Sequence, residues 1–166
     1  MHTTFANTRA AAYRERLSPS LWALVSAAMC APMVALVLTP FDATVALVAG
    51  AAVGVAVVAA LVALSPVVEV GDGMLRVGRA RIELRYLGTP ETLTGDDARH
   101  ARGPGLGRHS WHLLRGGIDG VVRVPIRDAD DPVTMWVFSS RTPERVAAAI
   151  RRAQAGSAAE PVPSAP

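Results

Sequence analysis

The chain contains no lysine: all seventeen of its basic residues are arginine. It has one cysteine, Cys30, and only 5% aromatic residues. A lone cysteine excludes an internal disulfide and leaves no set of thiols for a structural zinc site. The all-arginine basic set goes with an abundance of Ala, Val, Gly and Pro, and no feature demands a guanidinium fork at every position. Charge is unevenly missing. Between Arg16 and Glu69 the sole charged residue is Asp42, so about a third of the chain is nearly uncharged. That distribution points to a membrane module followed by a soluble domain, not to one soluble domain.

What fills the uncharged third are two apolar runs. Leu21–Leu38, LWALVSAAMCAPMVALVL, holds eighteen residues, about 27 Å of helix at 1.5 Å per residue. Ala43–Leu64 holds twenty-two, about 33 Å by the same rise, against a hydrocarbon core of about 30 Å. Neither run has the polar stripe that a helix packed in a soluble bundle keeps toward water. The intervening TPFD reads as a turn with Pro40 as the breaker. A cleaved signal peptide fits less well, because its apolar core normally runs 7–15 residues. The expectation is a transmembrane helical hairpin over 21–64, preceded by a short N-terminal segment, 1–20.

Arginine placement orients the hairpin. Arg9, Arg14 and Arg16 precede it, Arg76, Arg79, Arg81 and Arg85 follow it, and the turn has none. By the positive-inside rule both termini are expected in the cytoplasm of a two-span cell-membrane protein. Within the hairpin, Ala46, Gly50 and Gly54 form one small-residue stripe and Ala23, Ala27, Ala31 and Ala35 another. Folding about the middle of the turn places Ala31 opposite Gly50 and Ala27 opposite Gly54. These four are the expected helix-packing residues, since small side chains let backbones approach closely in lipid. Homo-oligomerisation through the same GxxxG motif is the alternative. Pro32 is expected to kink the first span.

After Pro66 the period changes to two. Val67–Val70 and Met74–Val77 read as a hairpin about Asp72-Gly73, and Arg81–Leu87 as a strand with Ile82, Leu84 and Tyr86 on one face. Gly88–Gly95 reads as loop and TGDDARHARG as a short helix. Trp111–Arg115, Val121–Arg127 and VTMWVFSS supply further strands. A last helix is expected from Thr142 as N-cap and Pro143 at its first position, and residues 154–166 as a disordered tail. The fold class is thus an α+β membrane protein. Its cytoplasmic domain over 67–153 has five or six strands and a C-terminal helix, of pleckstrin-homology-like type by analogy.

Candidate chemistry is thin. Gly103–Gly107, GPGLG, follows a helix and contains Pro104, unlike a dinucleotide-binding turn. His100, His109 and His112 lack the partners of a metal site. Ser139, Ser140 and Asp130 suit a strand end and a turn, and RDADD lacks the glycine and closing glutamate of a calcium loop. No catalytic, cofactor or metal residue is therefore named. Nucleic acid is disfavoured as a partner, because arginines alternate with acids and no aromatic stacking platform is evident. Arg76, Arg79, Arg81 and Arg85 are the usable signal: each could give about 1 kcal/mol against anionic lipid headgroups.

Three stretches, YRERL, DGMLRVGRARIEL and VVRVPIRDADDPVTMWVFSSRTPERVAAAI, resemble a family of small actinobacterial membrane proteins, domain-of-unknown-function family 3093. The resemblance runs from about Ala12 to Arg151, and its most specific pieces are Gly78–Arg81 and Ser139–Glu144. It departs in Gly103–Gly107 and Gly116-Gly117. It implies a membrane protein of unknown function and brings no catalytic residue. The resulting expectation is a non-enzymatic scaffold or binding module that presents its cytoplasmic domain to a membrane or cytoplasmic protein or to a lipid headgroup. The alternatives are an accessory enzyme of envelope or lipid metabolism and a subunit of a larger membrane complex.

Overall fold

The computed structural model describes residues 12–158. It divides into two units, a helical one over Ser18–Pro66 with Arg115–Gly117, and a strand-rich one made of the remaining described residues.

The helical unit comprises α1 (Leu21–Ala28), α2 (Cys30–Leu38) and α3 (Ala43–Ala63). The Ser20 hydroxyl accepts from Ala23 N at 3.3 Å and Asp42 Oδ1 from Val45 N at 2.8 Å, so each apolar run opens on a side-chain cap. The first run is interrupted at Met29, where a single helix is expected. Pro32 accounts for the position: it has no N–H to give the carbonyl of Ala28, one turn earlier. Both runs are long and apolar enough to cross a membrane, with only 6% and 17% of their residues buried. Leu21, Trp22, Leu36, Val37, Leu47, Val48 and Val55 all point outward.

The strand-rich unit holds two four-stranded sheets. The first contains β1 (Tyr13–Arg16), β2 (Val67–Gly71), β3 (Met74–Val77) and β4 (Ala80–Glu83), in that order and antiparallel throughout. Asp72 and Gly73 both take positive φ, 50° and 71°. That is the backbone of a type I′ hairpin, and glycine meets it at no steric cost. The second sheet contains β5 (Glu91–Leu93), β6 (Ser110–Leu113), β7 (Val121–Pro125) and β8 (Met135–Ser139), in the order β5-β7-β8-β6. Helix α4 (Gly95–Arg102) lies between β5 and β6 in the chain, and α5 (Pro143–Ala158) closes it.

The inner faces of both sheets and one face of α5 share a core. Val68, Val70, Leu75 and Val77 meet Val122, Val124, Phe138, Val146 and Ile150 there, all fully buried. The other face of the second sheet packs Val121 and Val137 against Ala98 and Ala101 of α4.

Among the described residues there are eight strands, seven of them within 67–153, where five or six are expected. Tyr13–Arg16, read as part of an N-terminal segment, is an edge strand. Glu91–Leu93, read as loop, pairs with β7. The strand expected over Arg81–Leu87 stops at Glu83 and continues as a 3₁₀ turn, Leu84–Tyr86, which still buries Leu84. The C-terminal helix continues through residues 154–158, where a disordered tail is expected. Gln154 holds that extension, its Nε2 donating to the carbonyls of Leu84 at 3.1 Å and Leu87 at 2.8 Å. Residues 159–166 of the expected tail, like Arg9 near the N-terminus, lie outside the described residues.

Candidate functional site

The register of the first sheet fixes where its arginines go. Arg14 pairs with Glu69, Glu69 with Arg76, and Arg76 with Arg81. Side chains on one row share a face, so a row of three arginines and one glutamate crosses the outer face of all four strands. Arg14, Arg76 and Arg81 are exposed and Glu69 half-buried. Arg79 follows Gly78 in the β3–β4 turn, and Gly78 N donates to the Val67 carbonyl at 2.8 Å. Arg16 also pairs with Val67. Arg16 and Arg79 therefore mark the end of the sheet that the chain enters from α3, four residues after Ala63. Arg85 lies past the other end of β4, beyond Glu83, which pairs with Met74 near the Asp72-Gly73 turn. The four arginines that follow the second apolar run are thus spread along the sheet, with Arg79 and Arg85 at opposite ends. The four residues of β4 alone separate those ends by roughly 10 Å.

A second polar group forms where two distant segments meet. The row Glu15, Val68, Val77 and Ala80 faces inward, so an edge-strand carboxylate points toward the core and needs partners there. It has three. Ser140 Oγ donates to Glu15 Oε2 at 2.6 Å, Arg141 N to Oε1 at 2.7 Å, and Tyr13 Oη to Oε2 at 2.8 Å. Tyr13 Oη also lies 2.8 Å from Thr142 Oγ1, and Ser140 Oγ accepts from Thr142 N at 3.1 Å. The Thr142 hydroxyl is thus turned to Tyr13, while its carbonyl accepts from Arg145 and Val146 at the start of α5. Burial raises the pKa of the Tyr13 phenol above its ordinary value; the Thr142 hydrogen bond opposes this and Glu15 adds to it. Ser139 and Ser140 are fully buried. The group can hold β1 on the β8–α5 junction, and its buried serines cannot meet a substrate.

In the helical unit a Cβ at Gly50 would lie 2.5 Å from the Ala31 carbonyl oxygen and 3.0 Å from Ala35 Cβ. One at Gly54 would lie 2.7 Å from Ala31 Cβ. Gly54 thus rests on Ala31, four residues beyond Ala27, and the reversal is centred near Asp42-Ala43. The reason is local: Thr39 N still bonds the Ala35 carbonyl, so the α2 ladder extends into the turn, while Asp42 caps α3. Ala27, Ala46, Gly50 and Gly54 are the buried residues of these helices.

His100, His109 and His112 are all exposed, and Gly105 packs over the His100 ring. Among the described residues no three His, Cys, Asp or Glu side chains gather as a metal site would require.

A family model described as "Protein of unknown function (DUF3093)" matches residues 12–150. The chain belongs to this family. The matched region of this DUF3093 chain begins one residue before Tyr13 and takes in both halves of the Glu15–Ser140 group. No curated protein and no solved structure matches it. Sequence reading missed the Glu15 group altogether. Its one available signal lay in YRERL and SSRTPE, two of the stretches that carry the family resemblance, which the fold brings together.

Proposed function

We propose that this DUF3093 chain is a cell-membrane protein whose two apolar runs cross the bilayer as a hairpin and whose strand-rich unit is a cytoplasmic module reading anionic lipid headgroups. One observation carries the reading: Arg16 pairs with Val67 in a β-ladder. Strand partners lie about 5 Å apart, so the chain leaves and re-enters the sheet at one place. Any membrane-crossing path between them crosses an even number of times. Two runs of 18 and 21 residues supply two crossings, and their outward Leu, Val and Trp side chains suit lipid. Ala27, Ala31, Gly50 and Gly54 then serve as close-packing residues within the hairpin.

The arginines supply the recognition. Arg16 and Arg79 stand at the sheet end nearest in sequence to α3, with Arg76 and Arg81 next along the outer face, where cytoplasmic-leaflet charge would attract them. Two sheets under a C-terminal helix keep a pleckstrin-homology-like reading in view, from which the parallel pairing of β6 with β8 departs. The test is the lipid retained after purification in mild detergent, read by mass spectrometry alongside alkaline extraction of membranes. The protein should stay in the carbonate-resistant pellet and retain an excess of anionic over zwitterionic lipid that falls in an Arg76→Gln/Arg79→Gln/Arg81→Gln variant. Release by carbonate, or no anionic excess, would contradict it.

A further inference from the structure

A cleft of about 510 Å³ opens on the strand-rich unit between the 3₁₀ turn, the end of β7 and α5. Arg85, Gly88, Thr89, Arg127 and Gln154 line it over a floor of Leu84 and Leu87. An isolated antiparallel bridge, Leu87 with Ile126, assembles it. Arg127 N donates to the Tyr86 carbonyl at 2.7 Å and Gly88 N to the Pro125 carbonyl at 2.8 Å, so residues 86–88 and 125–127 are locked side by side. Both donor hydrogens of the Gln154 amide are spent on the Leu84 and Leu87 carbonyls. The walls are set before any ligand arrives.

The charge here is positive and only partly answered. Arg85 Nε bonds Glu83 at 2.8 Å on an exposed surface, and its guanidinium lies 4.9 Å from the Tyr86 ring centroid. Among the described residues no carboxylate pairs with Arg127. The adjacent Asp128 turns Oδ1 to the Asp130 amide at 3.1 Å. A Cβ at Gly88 would lie 3.2 Å from Pro125 Cγ and 3.4 Å from Arg127 Nε, so Gly88 and the Arg127 side chain stand against each other at the cleft wall.

We infer that this cleft binds a phosphate-bearing anion, with Arg127 as its principal contact, Arg85 as a second and the Thr89 hydroxyl as a further donor. Guanidinium groups take phosphate oxygens in pairs, which a single lysine-like charge cannot reproduce. The volume falls within the range of about 300–1,000 Å³ common for small-molecule sites. It therefore fits a phosphorylated molecule or a lipid phosphate better than a bare ion. The inference does not depend on whether the helices cross a membrane.

The test uses the full chain in a neutral detergent, titrated with inorganic phosphate and followed through the amide resonances of Gly88 and Thr89. Saturable shifts are expected, weakened about tenfold or more by Arg127→Gln, partly restored by Arg127→Lys and unchanged by Arg99→Gln on α4. A repeat in nanodiscs of neutral lipid, with and without phosphatidic acid, separates the sources. Loss of the phosphate response with phosphatidic acid present assigns the site to a headgroup, and an unchanged response assigns it to a soluble phosphorylated ligand. Equal affinity in Arg127→Gln with unchanged thermal stability, or shifts that never saturate, would overturn the inference.

Discussion

The Ser140 hydroxyl donates to Glu15 Oε2 at 2.6 Å, joining residues 125 apart in the chain. The bond ties a strand made before the helical unit to the start of the last helix. The strand-rich unit is therefore complete only once its N-terminal strand has returned to it. Removing Glu15 should loosen that tie. Glu15→Ala leaves the buried Ser140 hydroxyl without its carboxylate acceptor, at about 1–3 kcal/mol for a polar group stranded from water. Thermal unfolding in detergent should show a clearly lowered Tm, with Glu15→Gln closer to wild type. An unchanged Tm in the alanine variant would mean that β1 is held by its ladder alone.

Alkaline pH should act on the same group through Tyr13. Its folded pKa is raised by burial, so the folded state keeps the phenolic proton where the unfolded chain has lost it. That contribution is fully present below the ordinary tyrosine value near 10 and is lost as pH rises through the higher folded value. With only two tyrosines in the chain, the Tyr86→Phe variant isolates Tyr13 in a phenolate absorbance titration. Ionisation should come above the ordinary value, and Tyr13→Phe should remove that part of the alkaline loss of stability.

In the helical unit the backbone contact at Gly50 leaves no room for a methyl group. Gly50→Ala forces Cβ to 2.5 Å from the Ala31 carbonyl oxygen and should destabilise the helix pair by about 1–3 kcal/mol, as overpacking does. Gly54→Leu should do the same through Ala31 Cβ without altering the oligomeric state. A Gly54→Leu protein that loses a dimer yet keeps monomer stability would show that the stripe serves self-association instead.

Sheet register, and not distance in sequence from the span, should rank the arginines in lipid binding. Arg79→Gln and Arg76→Gln should each weaken anionic-lipid retention by about 1 kcal/mol, roughly fivefold. Arg85→Gln, at the opposite end of β4 and only a secondary contact in the cleft, should change it less than either. Retention measured by mass spectrometry on each single variant checks the order, and an Arg85 effect equal to that of Arg79 would break it.

Much of this fold was readable from residue patterns, and the failures share a cause. The apolar runs, the Asp72-Gly73 hairpin, the Val121 and Met135 strands and the Thr142-Pro143 helix start are local signals, complete within a few residues. Tyr13–Arg16 carries the same alternation, but four residues of mixed charge mean nothing until β2, fifty residues later, gives them a partner. Glu91–Leu93 is too short for a period to register. Leu84 keeps its inward place although the strand has ended, because the 3₁₀ turn preserves burial while changing the backbone. Gln154 reads as the start of a polar tail, yet its amide donates to the Leu84 and Leu87 carbonyls at the two ends of that turn. The Glu15 group was invisible for the first of these reasons: each half is ordinary, and only the fold joins them.

The ladder between Arg16 and Val67 makes topology the decisive quantity. Single cysteines placed by Arg14→Cys, Asp42→Cys and Arg79→Cys, each in a Cys30→Ala background, can be labelled in intact cells with a membrane-impermeant maleimide. With both termini on the inner side, Cys at position 42 alone should be labelled, and positions 14 and 79 should react together only after the membrane is opened. Labelling of position 14 or 79 in intact cells, or opposite behaviour of those two, would contradict it.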